Sequence, residues 1–96
     1  MEVKHVPEEN GGEFIIEKEG EKIAYMHYTL FGSGRMVIQH TEVDRSLQGT
    51  GASKELLKEA VAHARANELK VLPMCPFAKA VMTKNREQYS DILVGV

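Results

Sequence analysis

Gln48-Gly49-Thr50-Gly51-Ala52-Ser53-Lys54-Glu55-Leu56-Leu57-Lys58-Glu59-Ala60-Val61 is the stretch that decides the fold. Its second half continues to Asn67 with Ala52, Leu56, Leu57, Ala60, Val61 and Ala64 at spacings of three and four, which predicts an amphipathic helix over Gly51 to Asn67. Asn67 tolerates the left-handed backbone of a helix end. Its first half is a run of small residues whose glycines permit positive φ and let the main chain approach a ligand closely. The first N–H groups of a helix lack internal partners and carry partial positive charge, so such a turn can aim several donors at one anion. Lys54, a cation in the first turn, opposes the helix dipole unless an anion sits nearby; the alternative is a solvated lysine. The loop has neither the Gly-x-x-x-x-Gly-Lys-Ser/Thr of a P-loop nor a full Gly-x-Gly-x-x-Gly, which removes nucleotide hydrolysis and dinucleotide binding.

Upstream, Asn10-Gly11-Gly12, Glu19-Gly20-Glu21 and Gly32-Ser33-Gly34 are turn signals that cut the first half into strands. Glu13 to Lys18 and Lys22 to Leu30 read as a hairpin, and Met36 to Val43 as a third strand, antiparallel because the connections are too short for crossovers. Downstream, Leu69 to Leu72 is a short buried strand reached through the helix and therefore parallel to the third one. Pro73 stops it, Phe77 to Thr83 forms a second, short helix, and Tyr89 to Val94 is weakly patterned. The fold class is α/β (α+β), a mixed sheet with one long and one short helix.

Composition narrows the function. Ninety-six residues, 43% of them hydrophobic and 27% charged, suit one domain spanning 1–96, of modest stability and either monomeric or a weak homodimer. The net charge is −2, with twelve Lys and Arg interspersed among fourteen Asp and Glu, so there is no continuous basic face and nucleic acid is not the expected partner. No apolar run reaches the ~20 residues of a membrane span, and Met1-Glu2-Val3-Lys4-His5 has no hydrophobic signal core, which points to a cytoplasmic protein. A single cysteine, Cys75, forms no internal disulfide. His5, His27, His40 and His63 show no metal-ligand spacing, and no metal is expected.

With these residues in view, Gln48-x-x-Gly51-x-Ser53 after the strand Ile38 to Val43 resembles the Gln/Arg-x-x-Gly-x-Gly/Ala signature of GNAT-superfamily acetyltransferases. Ser53 departs from the Gly or Ala of that pattern but is still small. His40-Thr41-Glu42-Val43, Ala64-Arg65, Lys70 to Pro76 and Tyr89-Ser90-Asp91 are similar, in the same order, to the short GNAT-like branch. The resemblance implies a parallel pair, Met36 to Val43 and Leu69 to Leu72, that splays apart for the pantetheine arm of acetyl-coenzyme A. It implies cofactor contacts over Glu42, Val43, Gln48, Gly49, Thr50, Gly51, Ala52, Ser53, Lys54, Cys75, Pro76 and Lys79. Lys79, Lys84 and Arg86 would meet the adenosine 3′-phosphate or form a solvated face.

Acetyl transfer to an amine needs a cofactor clamp, a donor for the thioester oxygen and a route for the amine proton. Main chain at Glu42 and Val43 would supply the donor. Glu42 and His40 are candidate bases on one sheet face; Cys75, ahead of a proline-started helix, is a candidate nucleophile in a place that favours thiolate. Each has a structural alternative: surface carboxylate, half-buried histidine, small buried hydrophobe. Tyr25, Tyr28 and Phe31 are core or strand aromatics unless one lines an acceptor channel. The expected activity is an acetyl-coenzyme A-dependent N-acetyltransferase acting by direct transfer on an unidentified amine of a protein, polyamine or small molecule. The alternative is a noncatalytic coenzyme A-binding or interaction module, because larger members add helices and strands that shape the acceptor site.

Overall fold

The structure is a computed structural model in which residues 1–95 are described. The elements are β1 (Lys4–Glu8), β2 (Gly11–Lys18), β3 (Glu21–Phe31), β4 (Arg35–Val43), a 3-10 turn over Arg45–Leu47, α1 (Ala52–Ala66), β5 (Lys70–Pro73) and α2 (Pro76–Lys84). They form one sheet in the order β1-β2-β3-β4-β5, antiparallel up to β4 and parallel between β4 and β5.

The strands and both helices expected from the sequence are present, together with β1, which the sequence pattern does not predict. Every residue of β1 is exposed and Pro7 lies within it, so no apolar alternation marks it. It is specified by pairing with β2, from Lys4 opposite Ile15 to Glu8 opposite Gly11.

Alternation along the strands sends Phe14, Ile16, Ala24, Met26, Tyr28, Met36 and Ile38 to one face, where they meet Leu56, Leu57, Ala60, Val61 and Ala64 of α1 and Ala78 and Met82 of α2. Burying a leucine such as Leu56, which is 0% exposed, contributes about 1.5–3 kcal/mol, and this stripe is what holds α1 in place. The opposite face carries Tyr25, His27, Thr29 and Val37 and belongs to no core cluster.

Two irregularities position the site. The register steps from Tyr28 opposite Ile38 to His27 opposite His40, which leaves Gln39 as an extra residue in β4. Beyond this bulge the facing parity is reversed, so Thr41 and Val43 join the helix side while His40 and Glu42 emerge on the other. The pairing of β4 with β5 ends at Ile38 opposite Pro73, where the Ile38 carbonyl accepts from the N–H of Met74 at 2.9 Å and of Cys75 at 3.0 Å. The chain then turns into α2 while β4 runs on to Val43, so β4 beyond Ile38 has no β5 residue paired with it. The Asp44 N–H donates to the Ile23 carbonyl at 2.8 Å. Antiparallel alternation therefore turns the main-chain groups of His40 and Glu42 toward β3, and those of Thr41 and Val43 toward the edge that β5 has left.

Candidate functional site

The loop between β4 and α1 is built from its own polar groups. Asp44 accepts from the Ser46 N–H at 2.9 Å and the Ser46 hydroxyl at 2.6 Å, which closes the 3-10 turn and holds the Asp44 carboxyl below its usual range. The N–H groups of Gln48 and Thr50 turn inward to the carbonyls of Arg45 and Leu47 at 3.2 and 3.1 Å. Gly49 and Gly51 then take φ of 83° and 86°, left-handed values that cost any other residue about 1–2 kcal/mol. Gly51 is the N-cap of α1 and brings no capping side chain. Among the described residues, the N–H groups of Gly49, Gly51, Ala52, Ser53 and Lys54 have no hydrogen-bond acceptor.

These donors border a groove of about 230 Å³ between the end of β4, the loop and Phe77 of α2. A Cβ added at Gly49 or Gly51 would meet nothing within 4 Å, so the space outside the turn is open. Gln48 and Thr50 spend their main-chain donors inside the turn, and Lys54 adds one. The residues present fit a pyrophosphate: acceptor-free amides at a helix N-terminus, a small-residue cradle and an adjacent cation.

A second groove, about 550 Å³, lies between α1 and α2 and is lined by Leu57, Lys58, Val61, Val81 and Tyr89 among others. Lys54 lines both grooves. Lys54 and Lys58 stand four apart on α1 and neither makes an ion pair or side-chain hydrogen bond among the described residues, an arrangement that costs roughly 0.2–0.5 kcal/mol without an anion. Arg65, further along, is already engaged. Its guanidinium donates to Asp91 at 3.0 and 3.1 Å and to the Gln88 carbonyl at 2.8 Å, which raises the Arg65 pKa and lowers that of Asp91.

The three candidate catalytic side chains are not brought together. Cys75 is the N-cap of α2, 2% exposed, with its sulfur accepting from the Ala78 N–H at 3.4 Å and lying 3.1 Å from the Thr41 hydroxyl. Pro76 starts α2, and Lys79 is exposed on it, lining neither groove. His40 and Glu42 sit on the far face of the sheet, His40 with its ring 6.5 Å from that of His27 and Glu42 beside Tyr25. Burial first, and the Glu42 charge second, raise the Tyr25 pKa. Sequence reasoning missed Thr41, Phe77 and Lys58. The spacing of Lys54 and Lys58 is visible in the sequence as a like-charged pair in the first two turns, whereas the partnership of Thr41 with Cys75 depends on the bulge.

A protein-family profile described as GCN5-related N-acetyltransferase matches residues 13–92. The chain belongs to that family. A GCN5-like N-acetyltransferase from Staphylococcus aureus, solved by NMR, is 36% identical with a TM-score of 0.73, over 99% of this chain and 89% of that one. More distant structures share the GNAT fold. A ribosomal-protein-alanine N-acetyltransferase from Brucella melitensis has 16% identity and a TM-score of 0.63 over 93% of this chain and 65% of that one. A GNAT family acetyltransferase from Elizabethkingia anophelis, with acetyl-CoA bound, has 15% identity and a TM-score of 0.61 over 82% and 53%. No curated protein matches the sequence. This GCN5-related chain is thus an N-acetyltransferase by family, with acyl transfer as its general chemistry. Among the described residues no helix is long and apolar enough to cross a membrane.

Proposed function

We propose that this GCN5-related chain, acting as one domain, is an acetyl-coenzyme A-dependent N-acetyltransferase that transfers directly to an amine. The observation that carries the reading is the set of acceptor-free amides at Gly49, Gly51, Ala52, Ser53 and Lys54 facing an open groove. When bound, acetyl-coenzyme A supplies an acetyl group activated as a thioester. Gly49 to Lys54 would hold its pyrophosphate with main-chain donors, which are about twice as strong toward a charged acceptor as toward a neutral one. The free main-chain edge of Thr41 and Val43 would align the pantetheine arm. Cys75 and Pro76 would act from behind the groove, by starting the helix that brings Phe77 to its wall.

Cys75 has a positioning role in this reading, because its sulfur is buried and occupied by Thr41 and the α2 amide. Direct transfer is the route that remains, with the amine arriving neutral, because Glu42 and His40 face away from the groove. A noncatalytic coenzyme A-binding module is the second reading, favoured by the placement of both candidate bases on the face opposite the groove. Native mass spectrometry and calorimetry with coenzyme A and acetyl-coenzyme A test the binding claim: absence of both mass adduct and heat ends it. Thiol release over a panel of protein, polyamine and small-molecule amines tests turnover, and binding without release leaves the module.

A further inference from the structure

The two faces of the sheet are finished differently. Both helices pack on one of them, and the chain measures 35 × 30 × 19 Å, a thickness that admits one sheet and one helix layer. The other face is bare across all five strands among the described residues. It carries two of the exposed large hydrophobic side chains, Val6 at 43% and Phe31 at 67%, and alternation adds Ile15, Tyr25 and Val37. Its two ends along β4 differ in charge. Arg35 opens β4 opposite Phe31 and makes no ion pair among the described residues. At the far end Glu42 stands opposite Tyr25, and these two with Lys22 and Asp44 border a recess of about 300 Å³. Lys22 is held by Glu13 at 2.9 Å, so neither Glu42 nor Asp44 has a cation paired with it among the described residues. The extra residue at Gln39 is what brings Arg35 and Glu42 to the same face.

We propose that this face packs on the same face of a second copy of the chain, about a two-fold axis lying in the interface and running across the strands. Such an axis reverses strand direction and keeps strand order, so β4 lies antiparallel over the β4 of the second copy. Arg35 then meets Glu42 of the second copy. Because Arg35 is in register with Phe31 and Glu42 with Tyr25, the same operation carries Phe31 to the recess beside Tyr25 of the second copy. Every such contact is made twice. Strands about 4.8 Å apart and ~20 Å long give the face on the order of 500 Å², so two faces bury about 1,000 Å², the lower end for a specific interface. The dimer is therefore weak and depends on its charge pairing. The grooves beside α1 lie on the helix side and stay open, which makes this inference independent of the coenzyme A reading.

Sedimentation equilibrium of the full chain from about 10 to 500 μM tests this, with a dissociation constant expected on the order of tens of micromolar. Phe31→Ser and Arg35→Glu, both at exposed positions, should each weaken association about tenfold or more while leaving the far-ultraviolet circular dichroism spectrum in place. The double variant Arg35→Glu/Glu42→Arg exchanges the two charges and should return to within about threefold of the wild-type constant. A wild type that stays monomeric at about 500 μM overturns the proposal. A dimer that tolerates both single changes overturns it as well, because the contact then lies elsewhere. A double variant no tighter than Arg35→Glu removes the antiparallel arrangement and the proposal with it.

Discussion

Two glycine pairs in this chain do opposite work. At Gly11 and Gly12 the missing side chain lets main chains close on one another: a Cβ would lie 2.2 Å from the Tyr28 carbonyl oxygen at the first and 2.7 Å from the Val6 carbonyl oxygen at the second. At Gly49 and Gly51 a Cβ would touch nothing within 4 Å, and the left-handed φ instead turns amides outward. One pair seals a sheet and the other leaves a surface unfinished. The same residue type therefore packs main chain in β2 and opens the turn before α1, and only the surroundings tell the two uses apart.

The sharpest way to break this comparison is to add a methyl group at each pair. Gly11→Ala meets backbone, which cannot swing aside, and should cost about 3 kcal/mol or more, lowering the melting temperature by at least ~12 °C in calorimetry. Gly51→Ala should cost only about 1–2 kcal/mol through φ strain, yet weaken coenzyme A binding roughly tenfold or more by crowding the amides. If Gly51→Ala leaves affinity intact, the loop is merely a tight turn. A smaller effect is expected at the edge of the groove: Cys75→Ala removes the cap of α2 at a cost of about 1 kcal/mol, with thiol release within about twofold of wild type. Loss of release by about a hundredfold would instead make the thiol catalytic.

The smallest effect belongs to the closed end of the molecule. There the His5 ring stacks on Phe14 at 4.5 Å, meets the Tyr28 hydroxyl at 2.6 Å and lies 4.5 Å from the His63 ring. Burial, and then the charge of His63, push the His5 pKa below its ordinary value. The folded state thus favours neutral His5, and below about pH 6.5 the unfolded chain binds more protons. The resulting stability is complete above that pH and is lost as pH falls through the folded pKa. Melting at pH 7.5 and 5.5 should show a drop of about 2 °C that shrinks in His5→Gln. An unchanged drop in the variant would assign the pH response elsewhere.

Much of the architecture is legible in the sequence. The three- and four-residue spacing from Ala52 to Ala64 specifies α1, and short connections specify antiparallel β2 to β4, because both signals lie within a few residues of each other. Val6 and Pro7 carry no such signal, since an exposed edge strand has no face to bury. The amphipathic pattern also locates the loop, and its glycines foretell left-handed φ there.

Whether Glu42 or Thr41 looks toward the groove is not a local property. Alternation carried forward from Met36 and Ile38 puts Glu42 and His40 on the helix side, and the extra residue at Gln39 reverses them. Nothing in Gln39 announces a bulge, because a bulge is a property of the register between two strands and not of one residue. Sequence by itself determined the helix, the strand order of the hairpins and the donor-rich turn, since each depends on neighbours along the chain. Tertiary structure alone decided which side chains share a face, which amides stay without acceptors and that Lys54 lines two grooves, because those depend on how segments far apart in sequence pack together.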